Sequence, residues 1–303
     1  MTTMNRLIPL VQREWLQHRF GWALLVLVPL GLGVLLGSVG HIDLGDEPPR
    51  GAMLPLAITA ISLLACTAAM FVILWGASLI FASGLARRDH GDRSIEFWLS
   101  LPVGHVASIA VPLVVHLIVV PAAALVIGLA AGVLMSALLV TRLVDFGAWL
   151  AVPWGDVVPA LLAVLGRLVA GIPLATLWLL PLVLLLVLLN AWFKRWGLVV
   201  MVAGTVVLVI LERTTGIGLA SVVADFANHA ATSFIGASRT ELKASGAEEA
   251  LAVLRQVPRW AGNDLLAALR DLASPLLAGG LLASAGLFAL LIEWRRRGAS
   301  AAN

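Results

Sequence analysis

Apolar residues in this chain gather into long blocks instead of alternating with polar ones. Six blocks stand out: Gly21–Val39, Leu54–Leu85, Val106–Val140, Leu168–Asn190, Gly197–Leu211 and Pro275–Ile292. A helix rises 1.5 Å per residue, so about 20 apolar residues cross a hydrocarbon core of roughly 30 Å. Inside lipid every backbone polar group must be satisfied within the structure, which leaves helices or a closed barrel. Barrel strands alternate apolar and polar residues, and runs such as Leu177–Leu189 do not. The pattern predicts an all-α polytopic membrane protein with six transmembrane helices. The second and third blocks exceed one membrane thickness and are expected to tilt or project into water. Pro112 and Pro121 are expected to kink the third. The fifth is short and runs into the weakly apolar Thr214–Ala227, a pattern that suits a broken or re-entrant helix.

Two segments outside the blocks carry helical periodicity. Leu7, Ile8, Val11 and Trp15 share one helical face, with Gln12, Arg13 and Arg19 elsewhere. This predicts an N-terminal amphipathic interfacial helix over 1–20, lying in the headgroup plane, with Pro9 in its first turn or bending it. In the longest connection, Glu248, Glu249, Leu251, Leu254 and Arg255, then Leu265, Leu266, Leu269 and Arg270, suggest short amphipathic helices. The segment 212–273 is thus expected to be a helical extracytoplasmic insertion between helices 5 and 6. Residues 85–105 form a cytoplasmic loop, and 1–303 reads as a single transmembrane domain.

Composition agrees with the blocks: 61% of the 303 residues are hydrophobic and 12% charged, and mean hydropathy is +1.01. A soluble domain is nearer half apolar and a quarter charged. The net charge of +3 and sequence pI near 10.0 follow from basic residues flanking spans, as membrane topogenesis demands, and do not point to nucleic acid. One set of connections holds Arg6, Arg13, Arg19, Arg87, Arg88, Arg93, Lys194, Arg195 and Arg295–Arg297. The short connections opposite hold little beyond Arg50 and Arg142, with Arg167 at a span edge. Both termini are therefore expected in the cytoplasm. Trp15, Trp22, Trp192, Trp196 and Trp294 lie beside the basic clusters as an interfacial belt. The basic start followed by an apolar stretch resembles a signal peptide, but no small-x-small pattern closes it before His41. It reads as an uncleaved first span.

Candidate chemistry is sparse. A phosphate-binding loop needs glycines and a following lysine; the two lysines, Lys194 and Lys243, do not follow a glycine. No two of the six histidines are four apart, so the His-Glu-x-x-His zinc helix is missing. Cys66 alone cannot make a disulfide or a cysteine zinc site and reads as a small packed residue. No metal, cofactor or catalytic group is expected in this chain. Charges inside lipid are costly and mark functional sites. Arg167, Glu212 and Glu293 sit at span edges, where snorkelling accounts for them, which leaves His116, deep in the third span, as the one intramembrane polar contact to explain.

The loop after the second block reads Asp92-Arg-Ser-Ile-Glu-Phe-Trp-Leu-Ser-Leu-Pro-Val103. Gly91 breaks the incoming helix, Asp92 is a good N-cap, and Pro102 ends about two turns of new helix. Ile95, Phe97, Trp98 and Leu99 would then form an apolar patch at the membrane surface, suited to docking or to anchoring in headgroups. This stretch resembles the Asp-Arg-Ser-Ile-x-Phe-Trp-x-Ser-x-Pro-Val segment of ABC-2 type permeases, the membrane-spanning subunits of bacterial ABC exporters. Six spans, termini inside and a large external connection before the last span are also similar to that family. The resemblance implies a coupling helix seated in a separate ATPase subunit, carried by Asp92, Arg93, Ser94, Ile95, Phe97, Trp98, Ser100 and Pro102. Leu99 stands where a lysine is common, and Gly104-His105 replaces a frequent Ser-Asp, departures that bear on the identity of the cognate ATPase more than on docking. ATP and magnesium would be bound by that ATPase partner. A second permease copy, making a homodimer in the bacterial inner membrane, and export of a hydrophobic or amphipathic substrate are further expectations. The other class left open is a non-transporting membrane scaffold or sensor subunit.

Overall fold

The computed structural model describes residues 3–40, 53–85, 105–216, 218–238 and 247–300. Within them the chain is helical: α1 (Thr3–Val39), α2 (Met53–Ser83), α3 (His105–Val114), α4 (Val120–Leu143), α5 (Phe146–Leu150), α6 (Trp154–Phe193), α7 (Gly197–Thr215), α8 (Leu219–Phe234), α9 (Ala247–Asp271) and α10 (Pro275–Ser300). A π-helical turn, Val115–Val119, joins α3 to α4, and a 3₁₀ turn, Lys194–Trp196, joins α6 to α7. Six of these stretches are long and apolar enough to span a membrane: Ile8–Val39, Met53–Ser83, Val106–Leu143, Trp154–Phe193, Gly197–Thr215 and Pro275–Arg296. They coincide with the six apolar blocks, each block lying within or nearly within its helix.

The 40-residue α6 is about 60 Å long at 1.5 Å per residue, twice a hydrocarbon core, and it organises the molecule. Its second half packs on α10 through Leu184, Val187, Leu188 and Leu291. Its middle packs on α8 through Ala175, Trp178 and Phe226. Its first half lies along α9, bound by Arg255–Asp156 near one end and Arg167–Asp264 further in. The numbers rise together on both helices, so α9 runs in the same direction as α6, and α10 continues that course.

Helices α2 and α4 meet backbone to backbone. Gly128 and Gly132 are four apart on α4, and a Cβ on either would lie 2.7 Å from a backbone Cα of α2, that of Thr67 or Leu63. Small residues at this spacing allow helices in lipid to approach closely. The α1 span is peripheral, with Leu24, Leu27 and Leu32 exposed as lipid-facing residues are.

Two expectations gain detail and one is overturned. The amphipathic N-terminus is continuous with the first span in one 37-residue helix. Pro121 produces a π turn at Val115–Val119. Arg167 is no snorkelling edge residue: it sits inside α6 at 2% exposure, ion-paired to Asp264.

The short fifth block is followed by a break. Gly216 takes a left-handed φ of 72°, its N–H bonding the Glu212 carbonyl, and ends α7. The Glu212 carboxylate then accepts from the amides of Ala220 (2.7 Å) and Ser221 (2.9 Å). An acidic group there satisfies orphan donors and the helix dipole at the start of α8, a more specific role than snorkelling.

Candidate functional site

The predicted coupling residues Asp92, Arg93, Ser94, Ile95, Phe97, Trp98, Ser100 and Pro102 lie outside the described residues. The helices flanking that connection are described, and between them lies His116.

The geometry around His116 begins with Pro121. Proline has no N–H, so the carbonyl of Leu117 loses its ordinary helical donor. The turn around it loosens to π, and the Val120 N–H reaches the Val115 carbonyl instead of that of His116. Both released carbonyls find side-chain donors from neighbouring helices. The Ser78 hydroxyl of α2 donates to the His116 carbonyl, and the Thr176 hydroxyl of α6 donates to that of Leu117 at 3.2 Å. Buried polar groups need such partners, since an unpaired one costs ~1–3 kcal/mol.

The His116 side chain, 1% exposed, turns into a polar cluster formed with α1 and α2. Its Nδ1 lies 3.2 Å from Ser78 Oγ and its Nε2 lies 3.3 Å from Glu14 Oε2. Glu14 is 2% exposed and Ser78 fully buried. His18, one helical turn beyond Glu14, stacks on Phe81 at 4.6 Å and presents an edge to His116 at 6.0 Å. Trp22 closes the cluster 6.2 Å from His116 and packs on Leu74 and Ala124. The inward face of α1 therefore reads Leu10, Glu14, Trp22, whereas Ile8, Val11 and Trp15, the apolar face of the sequence, are 43–61% exposed. Sequence reasoning found His116 and missed Glu14, His18 and Ser78. The available signal was the four-residue spacing of Glu14 and His18.

Across the π turn lies a cavity of about 490 Å³. Phe71 and Trp75 of α2, Pro121, Thr176 and Leu179 of α6, and Ala231 of α8 line it. Pro121 and Thr176, which loosen and satisfy the turn that presents His116, thus also form part of the wall of this chamber. On the other flank of α8 a second, more polar cavity of about 610 Å³ is lined by Asp225, Asn228, His229, Arg270 and Asp271. His229 Nδ1 lies 2.6 Å from Asp271 Oδ2, and its ring lies flat on the buried Trp178, 4.2 Å between centroids. The amphipathic α8 separates an apolar chamber from a polar one.

At Phe234 the apolar chamber borders an electrostatic knot. Arg167 Nε donates to Asp264 Oδ2 at 2.8 Å, and its terminal nitrogens donate to the carbonyls of Ser233 and Phe234. Gly171 has no Cβ, which lets the Phe234 carbonyl rest against α6. Asp264 also accepts from the amides of Gly236 (3.1 Å) and Ser238 (2.7 Å). Burial pushes its carboxyl up, but those amides and the Arg167 guanidinium outweigh burial and hold it below the usual carboxylate range. Helices α6, α8 and α9 are locked together at this point.

Comparison of the chain with protein-family models, curated proteins and solved structures gives no match.

Proposed function

We propose that this chain is the membrane-spanning subunit of an ABC-2 type exporter, moving a hydrophobic or amphipathic substrate with energy from a separate ATPase subunit. The observation that carries the reading is the segment Asp92–Val103, placed between two spans. The coupling residues are Asp92, Arg93, Ser94, Ile95, Phe97, Trp98, Ser100 and Pro102, which seat in the ATPase. Two further features support it. The 490 Å³ chamber is apolar on the α2 side and backed across α8 by the polar cavity, which suits an amphipathic cargo. The third span links loop to chamber: α3 starts at His105, the π turn begins ten residues later at Val115, and Pro121 just beyond it lies in the chamber wall.

In this mechanism two copies of the chain pair symmetrically, since one coupling segment per chain serves one of two ATPases. The termini face the cytoplasm of a bacterial inner membrane, and the start of α1 lies at its surface with Ile8, Val11 and Trp15 toward lipid. ATP-driven closure pushes on Asp92–Pro102. The push passes through α3 to the π turn, where the released carbonyls of His116 and Leu117 let the helix bend at low cost. The chamber then opens toward the extracytoplasmic α9.

The test is purification of the tagged chain from native membranes, with mass spectrometry and an ATPase assay on the eluate. A stoichiometric ATP-binding subunit, lost on Trp98→Ala or Asp92→Arg, is the expected result. A chain that purifies without any ATPase overturns the proposal and favours a scaffold or sensor.

A further inference from the structure

The Glu14–His18–His116 cluster contains more donor atoms than a hydrogen-bonded histidine needs. Proton accounting shows why. The Ser78 hydroxyl has one hydrogen, and it goes to the His116 carbonyl. The contact between Ser78 Oγ and His116 Nδ1 is then donated by Nδ1–H. The remaining nitrogen, Nε2, faces Glu14 Oε2 at 3.3 Å. An ionised carboxylate only accepts and a neutral imidazole with Nδ1–H has only a lone pair at Nε2. The gap between them must therefore hold a proton or a metal ion. A proton would satisfy these two groups alone. The structure adds a third: one ligand atom from each of Glu14, His18 and His116 lies within 4.8 Å of the others.

We infer that Glu14, His18 and His116 bind one divalent first-row transition-metal ion, with Zn²⁺ the best match. Glu14 and His18 are four residues apart on α1 and share a helical face, so one helix supplies two ligands. His116 supplies the third from the π turn, with Nδ1–H held by Ser78 and Nε2 directed inward. That tautomer is the one a metal requires, and an outer partner on the far nitrogen is the usual way to fix it. Ligands about 2.0–2.2 Å from a tetrahedral zinc lie about 3.4 Å apart. Glu14 and His116 already stand at 3.3 Å, and the partly exposed His18 closes the remainder by a ring movement along its Phe81 stack. Two imidazoles and one carboxylate offer too few oxygens for calcium or magnesium and no sulfur for copper(I). The ligand atoms come from α1 and the third span, whose beginning adjoins the 86–104 connection, so a bound ion would tie these two elements together.

The experiment uses the full chain in detergent, purified through a histidine-free tag, stripped with chelator and titrated with Co²⁺. One Co²⁺ per chain is expected, with the intense visible absorption of a four-coordinate nitrogen–oxygen site, displaced by one equivalent of Zn²⁺. Glu14→Gln abolishes the band, as does His18→Phe, which keeps the stack on Phe81. Ser78→Ala weakens binding about 10–100-fold, as expected for an outer partner. Absence of the band, or a band unchanged in Glu14→Gln and His18→Phe, overturns the inference and leaves an imidazolium–carboxylate pair only. The partly exposed position of His18 makes His18→Phe the variant that keeps the fold. The outcome does not depend on whether an ATPase partner is found.

Discussion

At the scale of single residues, the sharpest consequence of the structure is the Arg167–Asp264 pair. A lone charge buried among helices costs far more than a matched pair, so deleting one partner of a buried ion pair typically costs ~3–5 kcal/mol. Arg167→Met should therefore lower the melting temperature of the detergent-solubilised chain markedly. Arg167→Met combined with Asp264→Leu should recover part of the loss, but not all, since Asp264 also accepts from the Gly236 and Ser238 amides. A double variant no more stable than Arg167→Met would count against the pairing. The same carboxylate sets a pH dependence. Its folded pKa lies below the unfolded value of ~3.9, so its contribution is complete above that value and disappears as pH falls through the lower, folded one. Thermal unfolding followed from pH 6 down to about pH 3 should show a loss that Asp264→Asn flattens. None of this was legible from Arg167 itself, because sequence shows where a charge falls along a span and not which later segment folds back to meet it.

At the scale of elements, the π turn depends on three side chains from three helices. Thr176→Val removes the hydroxyl that serves the Leu117 carbonyl, and leaving that acceptor unpaired should cost ~1–3 kcal/mol in thermal unfolding. Pro121→Ala restores the missing N–H and should let a regular α-helix run through 115–119 with little loss of stability. If the turn transmits motion, Pro121→Ala lowers substrate-stimulated ATPase activity of the reconstituted complex while a stable fold is kept; unchanged stimulation would show that the turn is passive. The α2–α4 contact makes an opposite case. Gly128→Leu drives a side chain against the Thr67 backbone, 2.7 Å from the first added atom, where no rotamer can relieve it. Loss of at least ~1–3 kcal/mol is expected from overpacking, read as a lowered melting temperature. Proline in the third block announced some distortion, so the turn was partly legible. The kind of distortion was not, since it depends on Ser78 and Thr176 arriving from elsewhere.

At the scale of the whole molecule, the six spans were readable because block length is set by membrane thickness and owes nothing to tertiary detail. The inward face of α1 was hidden for a related reason. In water, an apolar stripe marks the core; beside lipid, Ile8, Val11 and Trp15 can stay outside, and the buried face carries Glu14. The proposed orientation can be tested directly. With Cys66 replaced by serine, Asn263→Cys on the exposed side of α9 and Lys194→Cys at the end of α6 place single thiols beside opposite halves of that helix. On the proposed orientation the basic connection that holds Lys194 is cytoplasmic, and α9, which follows the first half of α6, carries Asn263 on the other side. A membrane-impermeant maleimide applied to intact spheroplasts should label Asn263→Cys at once and Lys194→Cys only after permeabilisation. The reverse pattern would invert the chain. It would also place Asp92–Val103 on the outer face, where no ATPase could reach it, so the labelling experiment decides whether coupling through that segment is possible.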